Sequence, residues 1–143
     1  MTWHFFSLPL IVVCVLIYHV VQKNMPKEAN PLAVVASAYL LGAAACILLL
    51  LVLDEWKKGS ELLRTQNWLL TALLGMSAVG VELGFIYAYR TGWNISTMSV
   101  TVGSFTTVSL AVIGVLWFKE SLSAVNIAGI VLCIAGFLLV NWK

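Results

Sequence analysis

Charge is what this chain has least of: 10% of its 143 residues are Asp, Glu, Lys or Arg, against 62% hydrophobic. Soluble domains carry about one-quarter charged residues, so the composition is that of a membrane protein. Basic clusters are missing too. The eight Lys and Arg residues are scattered and the formal charge is only +2, which argues against a nucleic-acid partner. Cysteine is scarce and odd in number. Cys14, Cys46 and Cys133 sit in apolar runs with no pair at metal-ligand spacing, so they read as small packing residues. No nucleophile with a base, no metal-ligand cluster and no phosphate-cradling glycine loop occurs, so neither enzyme activity, a cofactor nor a metal is expected. A cleavable leader is not expected either, because no basic segment precedes Phe5 and residues 22–26 offer no small-residue cleavage site.

What is present is a series of apolar runs of about twenty residues, each long enough as a helix to cross a hydrocarbon core of about 30 Å. Their limits predict an all-α membrane protein, a single domain over 1–143 with five transmembrane helices at about 3–21, 31–53, 68–89, 95–117 and 123–141. Asn30 and Pro31 are a good N-cap and first helical residue for the second helix. Asn94 suits the cap of the fourth and Ser121 or Ser123 that of the fifth. Gly92 suits the left-handed residue after the third. The polar stretch 54–67 is expected to be a surface loop or interfacial turn. Tryptophan favours the headgroup level, and Trp3, Trp56, Trp68, Trp93, Trp117 and Trp142 all fall at predicted boundaries.

Orientation is not biased by charge. With the N-terminus inside, Lys57, Lys58, Arg64 and Lys119 lie on one side and Lys23, Lys27, Arg90 and Lys143 on the other. Four against four leaves the positive-inside rule with almost nothing to act on, and such a chain can insert both ways.

One span carries a carboxylate. Glu82 falls fourteen residues after Trp68 and seven before Tyr89, roughly 10 Å from the nearer helix end. An ionised carboxylate near mid-bilayer costs about 2.5 kcal/mol or more, so it is by default a functional candidate with a partner to be found. It reads as a proton or cation site. The plain alternatives are a hydrogen bond to a neighbouring helix or a pairing with Arg90. His19 is a candidate proton partner, although its closeness to Gln22 suits an interfacial histidine better. Gly80 and Gly84 lie four apart and about 200° from Glu82 around the helix, so glycine face and carboxylate face point in opposite directions. The glycine face is expected to pack against another helix, as are Gly129 and Gly136, spaced by seven.

The fourth helix is unusually hydroxylated, with stripes Ser96/Ser99/Gly103/Thr106 and Thr97/Thr101/Ser104. Either the hydroxyls line a substrate path or they satisfy the helix backbone and permit close packing. Ser99, Thr101, Gly103 and Thr106, with Tyr87, are therefore candidate substrate contacts.

From Trp68 onward the chain resembles the EamA-like branch of the drug/metabolite transporter superfamily. The resemblance is carried by Phe85-Ile86-Tyr87-Ala88-Tyr89, by the small-residue fourth helix leading to Glu120, and by Ala128-Gly129 and Ala135-Gly136. The five spans correspond to one EamA-like repeat. Two positions depart from the family pattern: Thr107 stands where a mid-helix proline is frequent, and Lys119 where glycine precedes the glutamate. The last helix also looks like that of the small multidrug resistance proteins, whose essential glutamate lies in the first helix, where this chain has Cys14 and Val15. The resemblance implies a half-size secondary transporter subunit in a bacterial inner membrane. It would move a small metabolite or drug-like molecule by alternating access as an antiparallel homodimer, with proton coupling as an option. A lipid-linked carrier flippase subunit and a non-transporting membrane scaffold are the alternatives.

Overall fold

A computed structural model of the chain describes residues 3–53, 61, 64 and 66–142. Among them five α-helices follow one another: α1 (Trp3–Lys23), α2 (Pro31–Val52), α3 (Trp68–Arg90), α4 (Ile95–Leu116) and α5 (Ala124–Val140). The described residues are all-helical in their regular structure, as the apolar runs predict. Most of the stretch 54–67, with Trp56, lies outside them.

The helix ends follow from local chemistry. Asn30 Oδ1 accepts from the amides of Leu32 and Ala33, with Pro31 leading the helix where its missing N–H costs nothing. Asn67 caps α3 through the Leu70 amide, and Ser123 caps α5 through that of Asn126. Asn94 occupies the cap position of α4, but its side chain makes no capping bond, so the expectation there is met only by the backbone. Gly92 takes φ 100° beyond the end of α3, a conformation that costs glycine little.

α1 to α4 are long and apolar enough to cross a membrane, whereas α5 has 17 residues. At 1.5 Å per residue α5 reaches about 26 Å, near the lower limit for a span. Most large apolar side chains are exposed along the helices. In a bilayer such a surface meets lipid or another protein, and no water has to be excluded from it.

The chain contacts divide into two units, Met1–Thr91 and Gly92–Lys143. In the first, α3 packs against both α1 and α2. Its buried residues are Ile86 and Tyr89 in the C-terminal half of α3, Val35 of α2 and Gln22 of α1; Ile86, Val35 and Gln22 line one groove. In the second, α4 pairs with α5, with the Phe105 and Phe137 rings edge to face at 5.2 Å between centroids. There α4 ends in a tight turn: the Glu120 amide donates to Gly114 O at 2.9 Å, and Lys119 takes φ 54°. Lysine thus adopts the left-handed conformation that favours glycine, and the turn forms despite the substitution.

Candidate functional site

α3 turns Glu82 toward α1. Gln22, one residue before the end of α1, donates from Nε2 to Glu82 Oε2 at 2.5 Å. Gln22 is only 7% exposed and Glu82 is half-buried, so this hydrogen bond is partly shielded. A bond to a charged acceptor is worth about 1.5–3 kcal/mol, of the same order as the cost of holding a carboxylate in a span. Glu82 therefore has a structural partner from the first helix. Of the two plain alternatives, the helix-to-helix hydrogen bond is the one formed.

Arg90 is engaged elsewhere. Its Nη2 donates to the carbonyls of Ala29 at 2.5 Å and Pro26 at 3.1 Å, which clamps the α1–α2 connection against the end of α3. His19 likewise turns away from the carboxylate. Its Nδ1 hydrogen-bonds Tyr89 Oη at 2.9 Å, its ring meets Phe85 edge to face at 4.8 Å, and no hydrogen bond joins it to Glu82. Lys23 sits over the Tyr89 ring at 5.5 Å, completing an aromatic and cationic end plate on this unit.

Two open grooves meet at the carboxylate. One, of about 360 Å³, is walled by α1, α2 and α3, with Gln22, Tyr18 and Glu82 as its polar side chains among apolar ones such as Ile17, Val35 and Ile86. The other, of about 460 Å³, lies between α1 and α3 and includes Ser77 and Val81. Cys14, Tyr18 and Glu82 line both. Volumes of this order suit small organic ligands, and a mainly apolar wall with a few convergent polar groups is the usual form of such a site.

Tyr18 and Gln22 are the residues that the sequence did not single out. The available signal was spacing: Cys14, Tyr18 and Gln22 are four apart, hence on one face of α1. Tyr87, by contrast, is exposed on α3 and lines neither groove.

Gly80 and Gly84 lie on an open face, where an added Cβ would meet nothing within 4 Å, and the same holds for Gly103, Gly129 and Gly136. Among the described residues, Gly114 is the glycine with a close neighbour, since a Cβ there would stand 2.6 Å from Glu120 Oε2. In the second unit some hydroxyls of α4 bond to their own backbone and others reach α5, Ser104 Oγ donating to Cys133 O at 3.5 Å. Thr106 Oγ1 donates to Val102 O at 2.7 Å, and Thr97 Oγ1 to Asn94 O at 3.2 Å. Thr101 Oγ1 receives Asn141 Nδ2 at 3.2 Å, tying α4 to α5. Ser99 is half-buried on α4.

Comparison with known proteins gives a family. The EamA-like transporter family model matches residues 3–142. Three curated relatives, each called multidrug resistance protein EbrA, are similar over shorter stretches. The Bacillus atrophaeus protein is 57% identical over 37 residues, that of Bacillus subtilis 35% over 80, and that of Bacillus licheniformis 54% over 35. These matches cover 26%, 54% and 24% of this chain, and the chain spans 35%, 72% and 33% of the relatives' lengths. No solved structure matches. With a family model matched over nearly its whole length and helices that fit a bilayer, the chain belongs to the EamA-like transporter family of membrane proteins.

Proposed function

We propose that this chain is half of a secondary transporter of the bacterial inner membrane, moving a small cationic or amphipathic molecule by alternating access as an antiparallel homodimer. Glu82 is its proton or cation site. The observation that carries this reading is that Glu82 stands in the wall of both grooves, sharing them with Tyr18 and held from α1 by Gln22. A carboxylate open on two sides can hold a proton or cargo in turn, and binding one in place of the other is the exchange that coupled transport requires. The multidrug resistance names of the relatives support a small organic cargo.

The carboxylate comes from α3, yet it lines the same grooves as Cys14, in the first-helix region where the small multidrug resistance proteins carry theirs. An equivalent charge is thus offered from the facing wall. Pairing of two copies in opposite orientations is supported by the odd number of predicted spans and by the balanced charges, since inverted repeats are the usual frame for alternating access.

Two measurements test this. Purified protein in proteoliposomes should exchange a labelled organic cation, and Glu82→Gln should abolish the exchange. Single cysteines placed at opposite ends of α4 in two differently tagged copies should cross-link to one another. Finding every C-terminus on one side of the membrane excludes the antiparallel arrangement.

A further inference from the structure

The polar corner of the groove walled by α1, α2 and α3 has an acceptor to spare. Gln22 gives its –NH2 to Glu82, as it must beside a carboxylate, because only that end of the amide can donate. Its carbonyl oxygen Oε1 is then left buried, with no hydrogen-bond partner among the described residues, on a side chain more than nine-tenths buried. The Tyr18 hydroxyl is buried close to both Gln22 and Glu82, and it too is without a well-aligned hydrogen-bond partner among the described residues. All three side chains line the same groove. Buried polar atoms in native proteins are nearly always paired, so an orphaned carbonyl beside a carboxylate in a cavity marks a place for a donor that arrives with a ligand.

We infer that this corner is an ammonium site that selects cargo carrying N–H donors over quaternary cations. The inference rests on the reading of Glu82 as the cation site and names the chemistry that this site accepts. A primary ammonium has three N–H donors, enough for the Glu82 carboxylate, Gln22 Oε1 and the Tyr18 oxygen together, and a secondary ammonium has two, enough for Glu82 and Gln22 Oε1. A trimethylammonium group neutralises the charge but leaves the Gln22 carbonyl unpaired. Sites built to hydrogen-bond a ligand discriminate strongly against the analogue that cannot donate. Recognition of quaternary cations characteristically uses a cage of aromatic faces. Here Tyr18 is the one aromatic side chain among the residues described along this groove.

The test is binding of phenethylamine and of phenethyltrimethylammonium to the purified full chain in lipid nanodiscs, by calorimetry. The amine is expected to bind at least about tenfold more tightly, although its methylated analogue has the larger apolar surface. In Gln22→Leu the ratio should fall to near one. Equal or reversed affinities in the wild-type protein overturn the inference, and that comparison needs no variant to fold. An unchanged ratio in Gln22→Leu removes Gln22 from it. If both cations bind equally and both are lost in Glu82→Gln, the donor selectivity alone fails. If binding is indifferent to Glu82→Gln, the reading beneath it fails too.

Discussion

Gln22 donates to Glu82 across sixty positions of sequence, joining the end of α1 to the middle of α3. The pair does two things at once: it supplies the donor that a carboxylate in a span requires, and it fixes the corner where two grooves meet. Neither side chain is at ease alone, since a buried polar group without its partner carries the full cost of desolvation.

Removing the donor therefore destabilises the first unit. Gln22→Leu is expected to cost about 1–3 kcal/mol, measured by reversible unfolding in mixed micelles. The double variant Gln22→Leu/Glu82→Leu should lose less than the two single losses combined, with a coupling of about 0.5–3 kcal/mol. Strict additivity contradicts the pairing.

Arg90 holds the α1–α2 connection through one nitrogen that serves two carbonyls. Arg90→Met should expose the backbone around 26–29, speeding its amide hydrogen exchange at least tenfold, and should destabilise the chain by about 1–3 kcal/mol. Arg90→Lys is expected to restore little, because the lysine side chain ends one bond short of Nη2, the nitrogen that reaches both oxygens. Full rescue by lysine means that charge, not geometry, holds the connection.

Lys119 occupies a left-handed turn at φ 54°. The conformation costs a non-glycine residue about 1–2 kcal/mol, partly offset by the greater freedom that glycine loses on folding. Lys119→Gly should thus raise stability by about 0.5–1 kcal/mol, seen as a higher thermal midpoint, with transport unchanged. A lower midpoint shows that the lysine side chain contributes more than the strain removes.

Helices and caps were legible in the residues because they follow from local rules. Twenty apolar residues must satisfy their own backbone in lipid, and Asn30-Pro31, Ser123 and Gly92 act within a turn of themselves. The partner of Glu82 was not legible. Periodicity shows which residues share a face, but not which face meets which helix, so His19 and Arg90 were as eligible as Gln22. Packing decided among them: His19 pairs with Tyr89, Arg90 with the loop carbonyls, and Gln22 with the carboxylate. The opposed faces of α3 were readable from angle alone. Glu82 turns to α1 while a Cβ at Gly80 or Gly84 would meet open space. The hydroxyls of α4 could serve a path or the helix itself, and bonds such as Thr106 to Val102 O are invisible in a list of residue types.

The most direct test is uptake of a labelled organic amine into proteoliposomes driven by a pH gradient, comparing the wild-type chain with Glu82→Gln at equal reconstitution. Glutamine keeps the size and the hydrogen bonding but can neither ionise nor carry a proton. Uptake should fall to the level of protein-free vesicles, and what remains should no longer respond to pH. Wild-type uptake with its pH dependence intact in Glu82→Gln contradicts the account.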